Sequence, residues 1–119
     1  MGSMAEGFDL LKNGPYKNLD MLNISKVWNN GSIIRSFLME LIEKYFSRDK
    51  NLDNIKGEIG DSGEGKWSVE TALKYNVPFT INTYALFSRY ISRDKNKFSA
   101  KIQAALRREF GGHTNKERA

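Results

Sequence analysis

The sequence predicts an all-α fold, and three observations support that prediction. Apolar residues recur at the three-and-four spacing of a helix face, most clearly over 32–47. No window alternates apolar and polar residues over several positions before a hairpin turn, so a β-sheet is not expected. Glycine, proline and short polar clusters separate the periodic segments, as they do at helix ends.

Three helices are predicted before the glycine-rich loop in the middle of the chain. The first is short and ends at the Asn-Gly-Pro stop signal of 13–15, and the second covers about 19–28. The third, over 32–47, has the widest apolar stripe and is predicted to be the core helix. That stripe comprises Ile33, Ile34, Phe37, Leu38, Leu41, Ile42, Tyr45 and Phe46.

Three further helices are predicted after the loop. Ser68 is expected to cap the fourth, which runs over 69–75 with Glu70 in its first turn. The fifth covers about 79–92, and the sixth covers about 97–110 before two glycines. The apolar face of the sixth helix consists of Phe98, Ile102, Ala105 and Leu106.

One short phrase occurs twice. Ser-Arg-Asp-Lys-Asn stands at 47–51 and again at 92–96, each time after a tyrosine and an apolar residue. The residues around the two copies do not repeat. We therefore interpret them as two helix ends with similar polar turn chemistry rather than as a duplicated unit.

Length and composition limit the classes of protein to which the chain can belong. The chain has 119 residues, which suits one domain and leaves no room for a separate cofactor domain of roughly 150 residues. It has no cysteine, which excludes disulfides, thiol nucleophiles and zinc-thiolate sites. No apolar run approaches the ~20 residues that span a bilayer, and no signal-peptide core is present. A cytoplasmic protein without a membrane partner is expected.

The central loop matches part of a nucleotide-binding motif. Residues 60–66 spell Gly-x-x-x-x-Gly-Lys, in which backbone amides would surround a phosphate. A P-loop needs a serine or threonine after the lysine to hold magnesium, and this chain has Trp67 there. The preceding residues, 54–59, also lack the branched apolar run of a buried parallel strand. A P-loop is therefore rejected.

Four segments together point to a known family. Residues 61–69 read Asp-Ser-Gly-Glu-Gly-Lys-Trp-Ser-Val, and 27–38 read Val-Trp-Asn-Asn-Gly-Ser-Ile-Ile-Arg-Ser-Phe-Leu. Downstream, 85–89 read Ala-Leu-Phe-Ser-Arg and 105–113 read Ala-Leu-Arg-Arg-Glu-Phe-Gly-Gly-His. In this order and spacing they resemble the C-terminal helical domain of 6-phosphogluconate dehydrogenase, in its short bacterial form.

The resemblance implies a division of the chain. The domain is expected to cover 5–113, because the Ala-Glu-Gly-Phe of 5–8 resembles the far end of the family's long connecting helix. Residues 1–4 then look like a cloning remnant, and 114–119 are expected to form a flexible tail.

The resemblance also implies an activity for the intact enzyme. Such enzymes of the pentose phosphate pathway oxidise 6-phosphogluconate with NADP or NAD, decarboxylate the 3-keto intermediate and release ribulose 5-phosphate, without a metal. The family's catalytic lysine and glutamate are expected upstream of residue 1, together with most of the cofactor site. This chain by itself is therefore expected to be inactive.

The expected substrate site draws on the basic end of the chain. Residues 89–119 carry nine basic and three acidic side chains, whereas 1–88 carry ten and eleven. By resemblance, Arg89 binds the substrate phosphate, while Arg107 and His113 reach into the other subunit's active site across a homodimer interface. Arg108 has no counterpart in the family and is expected to be solvated.

The loop contributes less clearly to that site. Ser62 and the amides near Gly63 are candidate phosphate donors. Glu64 should repel a phosphate dianion, although it could instead pair with an arginine and position it. Lys66 is as well explained by a solvent-facing position.

Two other classes of function stay open from the sequence. The isoelectric point near 9.5 allows a basic helical module that binds nucleic acid or a protein through 89–119. Against nucleic acid, the basic residues do not follow one continuous helix stripe and no helix-turn-helix phrase is present. A purely structural dimerisation domain is the third class.

Overall fold

The computed structural model describes residues 1–111, and among these it contains only α-helices. This confirms the predicted all-α fold. The six helices are α1 (Gly2–Asn13), α2 (Met21–Gly31), α3 (Phe37–Phe46), α4 (Glu64–Lys74), α5 (Thr80–Arg93) and α6 (Phe98–Gly111). The fold divides into two compact units, Met1–Gly57 and Glu58–Ala119, each with three helices.

The first unit is built around an aromatic and methionine core. Its buried side chains are Phe8, Met21, Met39 and Phe46. The ring of Phe8 lies 4.8 Å from that of Trp28 and 5.3 Å from that of Phe46, measured between centroids. Because these rings come from α1, α2 and α3, the aromatic cluster joins all three helices of the unit.

Helices α1 and α2 lie close to their predicted positions. α1 ends at Asn13, as the Asn-Gly-Pro signal indicates, and α2 begins after Asp20, whose carboxylate accepts the Asn23 N–H at 3.2 Å. α1 starts at Gly2, and Met4 packs against the core.

The predicted start of α3 is wrong. The helix begins at Phe37 instead of Ser32, because the Ser36 hydroxyl caps it by accepting the Met39 N–H at 3.1 Å. Ile33, assigned to the core stripe by its spacing, is 100% exposed. Met39, which that stripe omits, is fully buried.

The predicted start of α4 is also wrong. The helix begins at Glu64, one turn before the expected cap Ser68, whose hydroxyl instead donates to the Glu64 carbonyl inside the helix at 2.8 Å. The N-cap is Gly63, in the left-handed region with φ 103°. α4 packs against α5, and their buried side chains are Ala72 and Leu86.

The repeated phrase behaves as predicted at two helix ends. α3 ends at Phe46 and α5 at Arg93. Asp49 then accepts the Asn54 N–H at 2.8 Å, and Asp94 accepts the Lys97 N–H at 3.0 Å. Each aspartate therefore caps the turn that follows its helix.

The last helix and the tail complete the chain. α6 has no buried residue, and its expected apolar positions Phe98, Ile102 and Leu106 are exposed. The predicted flexible tail, 114–119, lies outside the described residues. None of the helices described is long and apolar enough to cross a membrane.

Candidate anion-binding site

The loop before α4 is fastened to the last turn of α5. The Ile59 N–H donates to the Ser92 hydroxyl at 2.9 Å, and an Arg93 guanidinium nitrogen, Nη2, lies 2.9 Å from Oδ2 of Asp61. A longer ion pair of 4.0 Å joins Glu58 and Lys95 at the exposed edge. The loop is thus held at three points along α5 and the turn after it.

Asp61 also shapes the turn that starts α4. Its second carboxylate oxygen, Oδ1, accepts the Gly63 N–H at 3.1 Å, so one carboxylate bridges Arg93 and the loop backbone. A side chain at Gly63 would be strained twice, by the φ of 103° and by a Cβ only 3.3 Å from the Trp67 ring. The position requires glycine.

Glu64 is held as a carboxylate at the first position of α4. The Ser62 hydroxyl donates to Oε2 of Glu64. This hydrogen bond, then the backbone N–H of Glu64 itself, and then the positive charge of Arg89, hold the pKa of Glu64 below its ordinary value. Glu64 is thus hydrogen-bonded by Ser62 and lies within reach of the charge of Arg89.

Arg89 is the cation of this group. It lies half-buried on α5, one helical turn before Arg93 and therefore on the same face. Among residues 1–111, no carboxylate forms an ion pair with its guanidinium. Its five N–H donors in a planar fork match the oxygens of a phosphate or carboxylate. Arg89 is therefore suited to bind an anion.

The structure brings some of the predicted site residues together and not others. Ser62, Gly63 and Arg89 lie in one region, but the Ser62 hydroxyl donates to Glu64 and the Gly63 N–H to Asp61. An incoming anion would compete with these two internal acceptors. Arg107 is exposed on α6. His113 lies outside the described residues.

Two functional candidates are absent from the sequence-based prediction. Asp61 could have been found from the Asp-x-Gly pattern, since an aspartate accepting the N–H two residues later is a common turn. Arg93 stands four residues after Arg89, which places both on one face, but nothing in the sequence shows that it reaches Asp61.

The described residues contain no group of three or more histidine, aspartate or glutamate side chains placed to hold a metal ion. The anion-directed chemistry of this region rests on arginine and on backbone and hydroxyl donors.

Comparison with known proteins places this all-helical domain in a family. The family model described as "6-phosphogluconate dehydrogenase, C-terminal domain" matches residues 1–118. The chain belongs to the 6-phosphogluconate dehydrogenase family, as the four sequence segments predict.

Individual relatives agree with the family match. The chain is 44% identical, over 99% of its length, to YqeC of Bacillus subtilis (strain 168), provisionally named a 6-phosphogluconate dehydrogenase. It is 37% identical, over 95% of its length, to the NAD(+)-dependent, decarboxylating 6-phosphogluconate dehydrogenase of Haloferax volcanii. A decarboxylating enzyme of Lactococcus lactis subsp. cremoris is 31% identical over 94% of the chain.

The match covers only part of each relative. The chain spans 39% of the Bacillus protein, 38% of the Haloferax protein and 25% of the Lactococcus protein. What those names state therefore describes proteins longer than this chain.

Proposed function

We propose that this chain is the substrate-binding and dimerisation domain of a decarboxylating 6-phosphogluconate dehydrogenase of the pentose phosphate pathway. The observation that carries the proposal is Arg89, a half-buried arginine without an ion pair among residues 1–111, beside a glycine loop on a domain of this family. The chemical role of the domain is to hold the phosphate end of 6-phosphogluconate.

The proposed binding follows from charge and geometry. Arg89 donates to two phosphate oxygens at once, which fixes the end of the sugar acid as well as attracting it. The Ser62 hydroxyl becomes an additional donor once the phosphate replaces Glu64 as its acceptor, while the Gly63 N–H stays bonded to Asp61 and keeps the loop in place. Glu64 opposes a dianion and so limits the affinity.

The oxidation itself is assigned to residues outside this chain. Residues 1–111 contain no strand followed by a glycine turn and a helix, the arrangement that binds a dinucleotide in Rossmann-type domains. NAD or NADP, which accepts the hydride in such enzymes, would be held elsewhere in the longer protein, together with the catalytic lysine and glutamate. On its own, the chain is proposed to bind without catalysing.

Dimerisation is proposed to involve α6. Phe98, Ile102 and Leu106 repeat every fourth residue and are 62%, 46% and 64% exposed, although such a stripe normally faces another element. Arg107 lies on the same helix and His113 follows it in sequence. Covering this stripe with a second copy would carry both residues toward the partner's site.

A titration of the isotope-labelled chain followed by NMR tests the binding proposal. We expect 6-phosphogluconate and inorganic phosphate to shift the Gly63 amide and Arg89 Nε signals, and gluconate to have little effect. Arg89→Gln should weaken phosphate binding roughly tenfold, because a hydrogen bond to a charged group contributes about 1.5–3 kcal/mol. Arg35→Gln, which alters an exposed arginine of the first unit, is the matched control.

Two results would contradict the binding proposal. Arg89→Gln could bind phosphate as the unchanged chain does, or a short DNA duplex could shift the α6 signals with the steep salt dependence of phosphate-backbone contacts. The second result would favour a nucleic-acid module.

Sedimentation tests the dimer separately. Leu106→Glu should shift the chain toward monomer by placing a charge in the proposed apolar interface. Gln103→Glu adds the same charge to an exposed position of α6 outside the apolar stripe, and should leave the equilibrium unchanged. Equal behaviour of the two variants would remove α6 from the interface.

A further inference from the structure

The Arg93–Asp61 ion pair connects the end of α5 to the turn that starts α4. The Asp61 side chain is only 17% exposed, and it is the single acceptor for both Arg93 Nη2 at 2.9 Å and the Gly63 N–H at 3.1 Å. A charge-assisted bond to one carboxylate oxygen thus fixes the direction in which the other meets the backbone.

The position of the neighbouring residues depends on this connection. Gly63 holds a left-handed conformation at the N-cap of α4 and stands between Ser62 and Glu64, which are linked by a hydrogen bond. Without an acceptor for the Gly63 N–H, the glycine has many other backbone conformations available. The turn would then present Ser62 and Glu64 to Arg89 in many orientations instead of one.

The chain carries an internal comparison for Arg93. The seven-residue segments Tyr-x-Ser-Arg-Asp-Lys-Asn at 45–51 and 90–96 place Arg48 and Arg93 over the rings of Tyr45 and Tyr90, at 5.1 and 5.7 Å from the centroids. Among residues 1–111 only the second arginine has a carboxylate partner. Local sequence accounts for the ring contact in both copies, and the ion pair is additional in one.

We infer that Arg93 is a positioning residue for the anion site: through Asp61 it sets the Gly63 turn, and so the placement of Ser62 and Glu64 beside Arg89. The inference rests on the proposed phosphate-binding function. The assigned role acts through Asp61, the carboxylate that Arg93 Nη2 contacts.

The test compares Arg93→Gln with Arg48→Gln in the full chain, using two readouts. The first, without ligand, is hydrogen exchange of the Gly63 amide, which should become roughly tenfold faster in Arg93→Gln because its acceptor is released. The second is the Kd for inorganic phosphate, which should rise roughly three- to tenfold. Arg48→Gln should change neither, and thermal unfolding monitors the stability of both variants.

Rescue separates positioning from a general loss of structure. Exchanging the two partners, as Asp61→Arg combined with Arg93→Asp, restores the ion pair but removes the acceptor for the Gly63 N–H. Phosphate binding should therefore stay weak. Arg93→Lys retains both the charge and Asp61, so it should recover most of the Gly63 protection and the affinity.

The outcomes distinguish the inference from the proposed function. Unchanged Gly63 exchange in Arg93→Gln, or equal acceleration in Arg48→Gln, would overturn the positioning role. Failure of the unchanged chain to bind phosphate would overturn the proposed function, while the Gly63 exchange would still decide whether Arg93 sets the turn. Faster exchange with unchanged phosphate affinity would also overturn the inference, since the turn would not matter to the site.

Discussion

The first unit buries two phenylalanines and two methionines, whereas the described part of the second buries only an alanine and a leucine. Apolar burial contributes roughly 25 cal/mol for each Å² removed from water, so the larger core gives the first unit more stabilisation of its own. The second unit holds the loop, the ion pair with Asp61 and the α6 stripe. Buried apolar contacts are concentrated in the first unit, and the residues proposed to bind an anion lie in the second.

The two copies of the seven-residue segment sharpen this comparison. In each, the serine hydroxyl donates to the carbonyl three residues earlier, at 2.6 Å in the first unit and 2.7 Å in the second. In each, the arginine lies over the tyrosine ring and the aspartate caps the following turn. The same residues therefore form the same helix end in both units, but only the copy at 90–96 also contacts a loop.

The largest expected effect is the loss of core packing in the first unit. Met39→Ala should lower its free energy of unfolding by about 3 kcal/mol, because a fully buried methionine leaves a cavity. Denaturation can be followed by Trp28 fluorescence in a Trp67→Phe background, since each unit has one tryptophan. Ile33→Ala, at a fully exposed position, should change stability by less than about 0.5 kcal/mol. Equal losses would contradict the assigned core.

A smaller effect is expected from the turn of the second unit. Gly63→Ala should destabilise it by about 1–2 kcal/mol, because a side chain in the left-handed region is strained and this one meets the Trp67 ring. Trp67 fluorescence in a Trp28→Phe background reports the loss. Gly60→Ala, where an added Cβ has no heavy atom within 4 Å, is the control. Similar stability of the two variants would show that the turn is not constrained.

Acid should destabilise both units through protonation of one carboxylate in each. The Asn54 N–H, the largest contributor, lowers the pKa of Asp49, as the Ser62 hydroxyl lowers that of Glu64. A carboxylate whose pKa is lower in the folded state than in the unfolded state stabilises the fold at pH values above its unfolded-state pKa. This stabilisation is lost as the pH falls through the folded-state pKa, so the loss begins at about pH 4.

The two reporters test this pH dependence by unit. Asp49→Asn should reduce the acid sensitivity of the transition seen by Trp28, and Glu64→Gln that of the transition seen by Trp67. A change in the reporter of the other unit, or none in either, would contradict the assignment.

The smallest expected effect concerns Glu64 in the anion site. Glu64→Gln should tighten phosphate binding about threefold at low salt, since a carboxylate near Arg89 repels the ligand, and the gain should shrink at high salt. Glu70→Gln removes an equal charge from an exposed position of α4 and is the control. Weaker binding by Glu64→Gln would mean that Glu64 instead orients Arg89.

Much of the helical arrangement could be predicted from the sequence, and both errors concern where a helix starts. Apolar spacing extends α3 back to Ser32, and the choice of Ser68 as an N-cap starts α4 one turn too late. The observed starts depend on Ser36 and Gly63. The Ser36 hydroxyl accepts a backbone N–H of the first turn of α3, and the left-handed Gly63 sets the direction of the backbone before α4. Spacing describes which face is apolar, and it does not decide where a chain first becomes helical.

The sequence by itself determined the six helices, the two matching helix ends and the family, because these depend on residues close together along the chain or on ordered motifs. Tertiary structure alone decided that Met39 is buried while Ile33 is exposed, and that Arg93 pairs with Asp61 while Arg48 has no carboxylate partner among residues 1–111. Such choices depend on which distant segments meet, and Asp61 and Arg93 are separated by 32 positions.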